Sequence, residues 1–280
     1  MLFRCWLELL KKLNVPCRST SDRFYVCDRL EVIKQTLSGS AYSLIEEAPL
    51  FLLYAKKPLD ELSDNLVVVS SHVDCVSTIT NFFADLVSKD TIYGTFDNSI
   101  TNTSAIINML EGSLPDNVVI AFTGDEERGS AGARKLTRYL ERNDKKAFVI
   151  VLDVTYSGYG EGYYFSIEND FIDNNSAQGD AIVKGAYMAS ENWCFATPDP
   201  LEPSSAIPRK HYLLDEDGQI EISDVDESYT YADELDCFSL CIPVDGNMHS
   251  NKGCTTRTIC FDTYNKALKY IALALSELTF

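Results

Sequence analysis

The sequence predicts an α/β fold: a single three-layer domain with a mixed, mostly parallel sheet and helices on both faces. Three observations predict it. Leu66 to Ser71, Val118 to Thr123 and Phe148 to Leu152 are short, continuous apolar runs rich in β-branched residues, the pattern of strands covered on both sides. Helical patterns separate them, at Thr103 to Leu110 and Ser130 to Glu141, and strands alternating with helices build a sheet between helix layers. Amphipathic helices are expected near both ends of the chain.

The first helix carries Leu2, Trp6, Leu9, Leu10 and Leu13 at i, i+4, i+7, i+8 and i+11, one apolar stripe at helical period. A second helix is predicted from about Asp22 to Leu37, with Ser21 as its cap, Val26, Leu30, Ile33 and Leu37 as its stripe, and Gly39 as its stop. The run Pro49 to Ala55 is strand-sized, and Phe238 to Ile242 reads as another short strand. Between them, Tyr156 to Tyr231 mixes aromatics, acids and turn residues, and is expected to supply loops and edge strands. The last helix spans about Thr263 to Leu278, with its stripe at Leu268, Ile271, Ala272 and Leu275. No internal repeat, linker or low-complexity block divides residues 1–280, so one domain is expected.

Apolar residues make up 45% of the 280 and charged residues 24%, the profile of a globular chain, which excludes disordered and fibrous classes. The net charge of −18 repels a phosphate backbone or an anionic lipid surface, so neither nucleic acid nor membrane is an expected partner. No apolar run approaches the ~20 residues of a membrane span. Arg4 and Glu8 interrupt any signal-peptide core. Nine cysteines, an odd number, speak against a disulfide framework, and a cytoplasmic location is expected.

The chemistry lies just beyond the end of each apolar run. LVVVSS leads into His72, Val73 and Asp74; VVIAFT into Gly124, Asp125, Glu126 and Glu127; FVIVL into Asp153. Ligands of open α/β sheets bind beyond the carboxyl ends of the strands, where these groups gather. Asp97, beside Asn98, and His249 complete a set of His, Asp, Glu, Asp and His, donors suited to zinc or a similar divalent metal. Singly, each has a bland reading: a His-x-Asp pair is usually a surface pair, a Glu-Glu pair in a chain with 42 acids a solvated face, and a strand-end Asp a cap. Their conjunction at successive strand ends carries the argument. The remaining histidine, His211, lies in a polar stretch and is expected to be exposed. Cys237, Cys241 and Cys254 lack the spacing of a zinc knuckle and read as core thiols.

With these residues in view, HVDC, the Asp-Asn of GTFDNS, FTGDEERGSAGA, VLDVT and MHS resemble the five metal-site motifs of the co-catalytic two-zinc exopeptidases, the superfamily of zinc aminopeptidases and carboxypeptidase-like deacylases. The resemblance implies two divalent metal ions, zinc expected, with Asp97 bridging them. His72 and Asp153 would complete one site, and Glu127 and His249 the other. It implies Glu126 as general base and Asp74 as the partner of His72. Residues two apart in an extended segment point the same way, so Asp74 can accept from the ring nitrogen of His72 that is not on metal. After Asp97-Asn98 the family commonly has Ser-Gly, where this chain has Ser99, Ile100 and Thr101. The interval from His72 to Asp97 is too short for a lid, and that from Asp153 to His249 for a separate dimerisation domain.

The implied function is amide hydrolysis, by a metalloaminopeptidase acting on peptide N-termini. A deacylase of N-acyl amino acids or dipeptides, a glutaminyl-cyclase-like enzyme with one zinc, and an inactive metal-binding module are the alternatives. The implied partner is a peptide or acyl-amino-acid substrate, and the sequence leaves monomer and homo-oligomer open. Tyr156, Tyr159, Tyr163 and Tyr164 come after Asp153 and read equally as pocket wall or as packing.

Overall fold

The computed structural model describes every residue except 1–2, 169–175, 197–206, 215–218 and 221–225. In chain order the elements are α1 (Phe3–Leu13), β1 (Arg18–Ser19), β2 (Phe24–Val26), α2 (Asp28–Leu37), β3 (Ser43–Ala48), β4 (Phe51–Ala55) and β5 (Asn65–His72). The middle of the chain forms β6 (Ala84–Ser88), β7 (Thr91–Gly94), α3 (Ser99–Glu111), β8 (Val118–Thr123), α4 (Glu126–Gly129), α5 (Ala131–Arg142) and β9 (Lys146–Thr155). The last stretch holds β10 (Ser166–Glu168), α6 (Ala177–Ala189), β11 (Cys194–Ala196), α7 (Ser228–Tyr231), β12 (Asp236–Pro243), β13 (Asp245–Asn247), β14 (Gly253–Arg257) and α8 (Thr258–Ser276).

Among the described residues, eight strands form one mixed sheet in the order β11-β10-β12-β9-β5-β8-β4-β3. Its centre, β12-β9-β5-β8, is parallel throughout. Alternation along these strands creates the three layers. Val67, Val69, Ile120, Ile150 and Leu240 enter one apolar cluster with α1, α2, α3, α6 and α8. Their neighbours Leu66, Val68, Val119, Val149 and Val151 enter a second cluster with α5 and Tyr231 of α7. A strand buried on both sides has no polar face to offer water, which is why its sequence is continuously apolar.

Several elements differ from the sequence expectations. Residues Phe24–Val26 form β2, paired antiparallel with Arg18–Ser19, so α2 starts at Asp28 and Ser21 is not its cap. The aromatic and β-branched content of Phe-Tyr-Val outweighs the helical stripe that Val26 would begin. Leu30, Ile33 and Leu37 do form the buried face, and Gly39 lies just past the helix at φ +82°. Of the α1 stripe, Leu2 lies outside the described residues, while Trp6, Leu9, Leu10 and Leu13 are buried. Helix α3 begins at Ser99, four residues before its predicted start, and α8 begins at Thr258. The Tyr156 to Tyr231 stretch supplies the edge strand β11 and its inner neighbour β10, but also α6, which was not predicted. His211 is 2% exposed: its ring stacks on Trp193 at 3.8 Å, with Nε2 2.6 Å from the Tyr187 hydroxyl. Aromatic packing, invisible in a polar sequence neighbourhood, decides its burial.

A second sheet, in the order β13-β14-β7-β6, is antiparallel and has no counterpart among the sequence expectations. It pairs β14, which follows β12, with β7 from the connection between β5 and β8, bringing the turn that carries His249 near the end of β7 and Asp97. No helix among the described residues is long and apolar enough to cross a membrane.

The loop joining β8 to α5 depends on glycine. A Cβ on Gly132 would lie 2.5 Å from the Gly124 carbonyl oxygen, 2.7 Å from its nitrogen and 2.8 Å from the Leu50 carbonyl oxygen. All three are backbone and cannot turn aside. Gly132→Ala is expected to destabilise the protein by about 1–3 kcal/mol in urea unfolding. Gly160→Ala, whose Cβ meets nothing within 4 Å, should change stability by less than about 0.5 kcal/mol.

Candidate metal centre

Each residue of the site stands where an element ends. His72 closes β5 and Glu126 opens α4 just past β8. Asp153 lies near the end of β9, Asp97 sits between β7 and α3, and His249 lies in the turn between β13 and β14. Parallel register aligns the strand ends, pairing His72 with Thr123 and Ser71 with Leu152.

The side chains converge in two pairs about Asp97. His72 Nε2 lies 3.6 Å from Asp97 Oδ1 and 3.7 Å from Asp153 Oδ1. On the other side, His249 Nε2 lies 3.7 Å from Asp97 Oδ2 and 4.0 Å from Glu127 Oε2. Each oxygen of Asp97 thus faces one imidazole and, around it, one further acid. Two donors bound tetrahedrally at 2.0–2.1 Å from zinc stand about 3.4 Å apart, close to these spacings. Asp97 Oδ2 and Glu127 Oε1 are buried without a hydrogen-bond partner among the described residues, a costly state that a cation relieves. His72, Asp97 and Glu127 also satisfy the mutual distances of a metal cluster. The donor set therefore fits divalent metal. His249 is the open side of the centre, its side chain 55% exposed.

Crowding shows in the proton affinities. Burial, reinforced by Asp153, Glu227 and Asp97 against His72, pushes Glu126 up to about 8. Burial and then Asp97 push Glu127 up to about 11. For His72 burial acts downward, but the carboxylates of Asp153, Glu126 and Asp97 outweigh it and hold the imidazole well above its ordinary value. Burial leads for the two glutamates, and the acidic neighbours that add to it, like those that outweigh it at His72, express an excess of negative charge around the site.

Glu126 and Glu127 face different spaces. Glu126 lines a cavity with His72, Asp97, Asp153 and His249, whereas Glu127 lines a smaller one with Arg18, Ser19 and Asp74. Asp74 sits differently from the simplest expectation. His72 Nδ1 is 3.1 Å from the Asp74 backbone carbonyl and 3.8 Å from its carboxylate. That carboxylate instead accepts from the Ser19 hydroxyl at 2.8 Å, the Asp125 amide at 3.0 Å and the Glu126 amide at 3.4 Å. Asp74 therefore fixes the turn that aims Glu126, while its carbonyl orients the His72 ring. Of the four tyrosines after Asp153, Tyr156 alone lines the cavity; its hydroxyl accepts from the Met248 amide.

Sequence reasoning missed the residues that hold these ligands. Arg29 is fully buried and donates to the carbonyls of Leu13, Val73 and Asp97 at 3.0, 2.9 and 3.2 Å. Asn98 donates to the Leu152 carbonyl and Asn102 to that of His72, both at 2.8 Å. The Asp97–Asn98 peptide bond is cis. The one available signal was composition: SITNTS is too polar for a buried helix unless its side chains bond to something. The His249 turn is tied down by Asn251, whose Oδ1 accepts from the amides of Thr80 and Asn81 at 2.7 and 2.8 Å.

The chain matches known proteins in family and in fold. The model of peptidase family M28 matches residues 54–197, just over half of the chain. Among solved structures, the TET1 peptidase of Pyrococcus horikoshii is 12% identical, with a TM-score of 0.67 over 96% of this chain and 99% of that one. The TET aminopeptidase of Thaumarchaeota archaeon SCGC AB-539-E09 is 10% identical, with a TM-score of 0.66 over 99% and 100%. An aminopeptidase of Desulfurococcus kamchatkensis is 12% identical, with a TM-score of 0.63 over 98% and 95%. At such identities the likeness concerns the fold. No curated protein gives a significant sequence match.

If Asp97 serves both halves of the centre, Asp97→Asn should deplete metal from both. Asp153→Asn and His249→Ala should each deplete one half. Metal analysis of the zinc-saturated variants by mass spectrometry checks this. Equal retention of metal by Asp97→Asn and wild type would remove Asp97 from the ligand set.

Proposed function

The chain belongs to peptidase family M28 and is a zinc metallopeptidase, and from that premise we propose that it is a two-metal aminopeptidase, releasing residues from peptide N-termini. The observation that carries the reading is the sharing of Asp97 between two half-sites, each with its own imidazole and its own second acid. In this reading His72, Asp97 and Asp153 hold one ion, and Asp97, Glu127 and His249 the other. When bound, the ions supply Lewis-acid polarisation of the scissile carbonyl and acidify the attacking water. A cyclase-like enzyme with one zinc would have no use for the second half-site.

Glu126 acts as general base, accepting the proton of the water at its carboxylate and returning it to the leaving amine. It faces the substrate cavity while its neighbour Glu127 faces away. Asp74 is a positioning residue that holds the Asp125–Glu126 amides and so the direction of Glu126.

Direction of attack is set by the charges around the cavity. Among its described lining residues there is no Lys or Arg. Two guanidinium groups beside the site are committed to backbone, Arg29 to three carbonyls and Arg18 to the Cys75 carbonyl at 2.7 Å and to the Ile79 carbonyl, while Arg128 lines the separate, smaller cavity with Glu127. An N-acyl amino acid brings a free carboxylate for which the described lining offers no Lys or Arg, whereas a free amine enters a cavity lined by carboxylates, those of Glu126, Glu168 and Asp226 among them, and this favours the aminopeptidase over the deacylase. The reading takes residues 1–280 as one catalytic domain without an inserted lid or dimerisation domain. It also includes a homo-oligomer, since the TET1 peptidase assembles into a tetrahedron or a large octahedral shell; light scattering of the purified chain tests this part.

Glu126→Gln is expected to keep both metals while turnover falls about 10²–10⁴-fold. Glu127→Gln should lose metal together with activity. Paired measurement of rate and bound metal separates these roles, and near-normal turnover of Glu126→Gln would overturn the base assignment. Aminoacyl anilides with a free α-amine should be cleaved and their N-acetylated forms should not. The opposite pattern would establish the deacylase.

A further inference from the structure

Beside the metal centre, the face of the sheet that carries His72 and Asp153 is acidic well below the ligands. Asp153 pairs in register with Cys241, and Glu168 with Ser239, so these side chains share one face. Glu168 and Asp226 line the same cavity of about 210 Å³ as His72, Asp97 and Glu126, with Tyr156 and Met248 also on its wall. Behind them Glu227, wholly buried, accepts from the hydroxyls of Ser70 at 3.0 Å and Thr123 at 3.2 Å. Glu168 is only 6% exposed, and its Oε1 has no hydrogen-bond partner among the described residues. Its charged neighbours Asp226 and Asp153 are both acids; burial first, then Asp226 and more weakly Asp153, push it up to about 8 against the Thr155 and Ser166 hydroxyls, which act downward on its carboxylate. A buried carboxylate set without a cation is an unfavourable arrangement that an incoming cation repairs.

Position decides which cation. Glu168 stands two strands across from Asp153 and two residues deeper, which at ~4.8 Å per strand and ~3.3 Å per residue separates their Cα atoms by about 12 Å. That is too far for the α-amine of a residue whose carbonyl lies at the metal ligands, and it suits the end of a long side chain. Cys241 is not a competing nucleophile, since burial holds its thiol well above the ordinary range.

Resting on the aminopeptidase reading above, we propose that this cavity is a specificity pocket in which Glu168 and Asp226 receive the positively charged side chain of the substrate's N-terminal residue, lysine or arginine. The contrast between lysine and norleucine tests it, because the two share an α-amine and a four-carbon chain and differ in the terminal ammonium. Lysyl anilide should exceed norleucyl anilide in kcat/KM by at least about tenfold, the scale of one charge-assisted hydrogen bond. Glu168→Gln and Asp226→Asn should each lower that ratio about tenfold, and a purely structural role would instead reduce both substrates alike. Independently of turnover, calorimetry on the zinc-loaded protein should show L-lysinamide binding at least about tenfold more tightly than L-norleucinamide. Equal binding, a preference for norleucine, or a further equivalent of metal lost on Glu168→Gln would each overturn the proposal. If neither anilide is cleaved while N-acetylated substrates are, the aminopeptidase reading fails, and the calorimetric contrast still decides the pocket.

Discussion

Like-charged carboxylates held together at the carboxyl edge of a buried sheet set the terms for everything around them. Asp74, Asp97, Glu126, Glu127 and Asp153 share a space with two imidazoles, and burial raises the proton affinity of both glutamates. Such a cluster persists only if the scaffold is rigid enough to resist its repulsion and if cations are available to it. The apolar layers on both sides of β5, β8 and β9 provide the rigidity. Bound metal provides the charge, so metal contributes to the order of the site as well as to the reaction.

The scaffold meets this demand through backbone carbonyls and amides more than through further ion pairs. Arg29, the one fully buried guanidinium among the described residues, ties α1, the segment after β5 and the Asp97 carbonyl together. Asn98 and Asn102 span from α3 to the ends of β9 and β5, so the polar face of α3 acts as a strap across the ligand-bearing strands. Asp74 commits its carboxylate to the Glu126 turn. In the proposed reading, ligand and base are thereby held by different contacts of Asp74, its carbonyl on His72 and its carboxylate on the Glu126 turn.

Much of this was legible in the chain. Leu66 to Ser71, Val118 to Thr123 and Phe148 to Leu152 identified themselves as two-sided strands, and the residues after them proved to converge. Elsewhere local pattern misled. Val26 fitted a helical stripe and belongs to β2. Ser99 to Asn102 fell outside the helix expected from Thr103 and are the buried start of α3, because hydroxyl and amide groups there find partners on other elements. His211 sat among polar residues and is enclosed by Trp193 and Tyr187. In each case the deciding partner was distant in sequence.

The sequence by itself determined the layer order of the fold and the identity of the chemical groups, because strand periodicity and strand-end chemistry are local properties that a single chain records. Tertiary structure alone decided how those groups divide the work. Only in three dimensions do the two oxygens of Asp97 face different histidines, does Glu126 turn towards the cavity and Glu127 away from it, and does Glu168 come to stand on the face of Asp153. The physical reason is register: a shift of one residue in any pairing of β9, β12 and β10 would send these side chains to the opposite face of the sheet, and nothing within a single strand records which partner residue lies beside it.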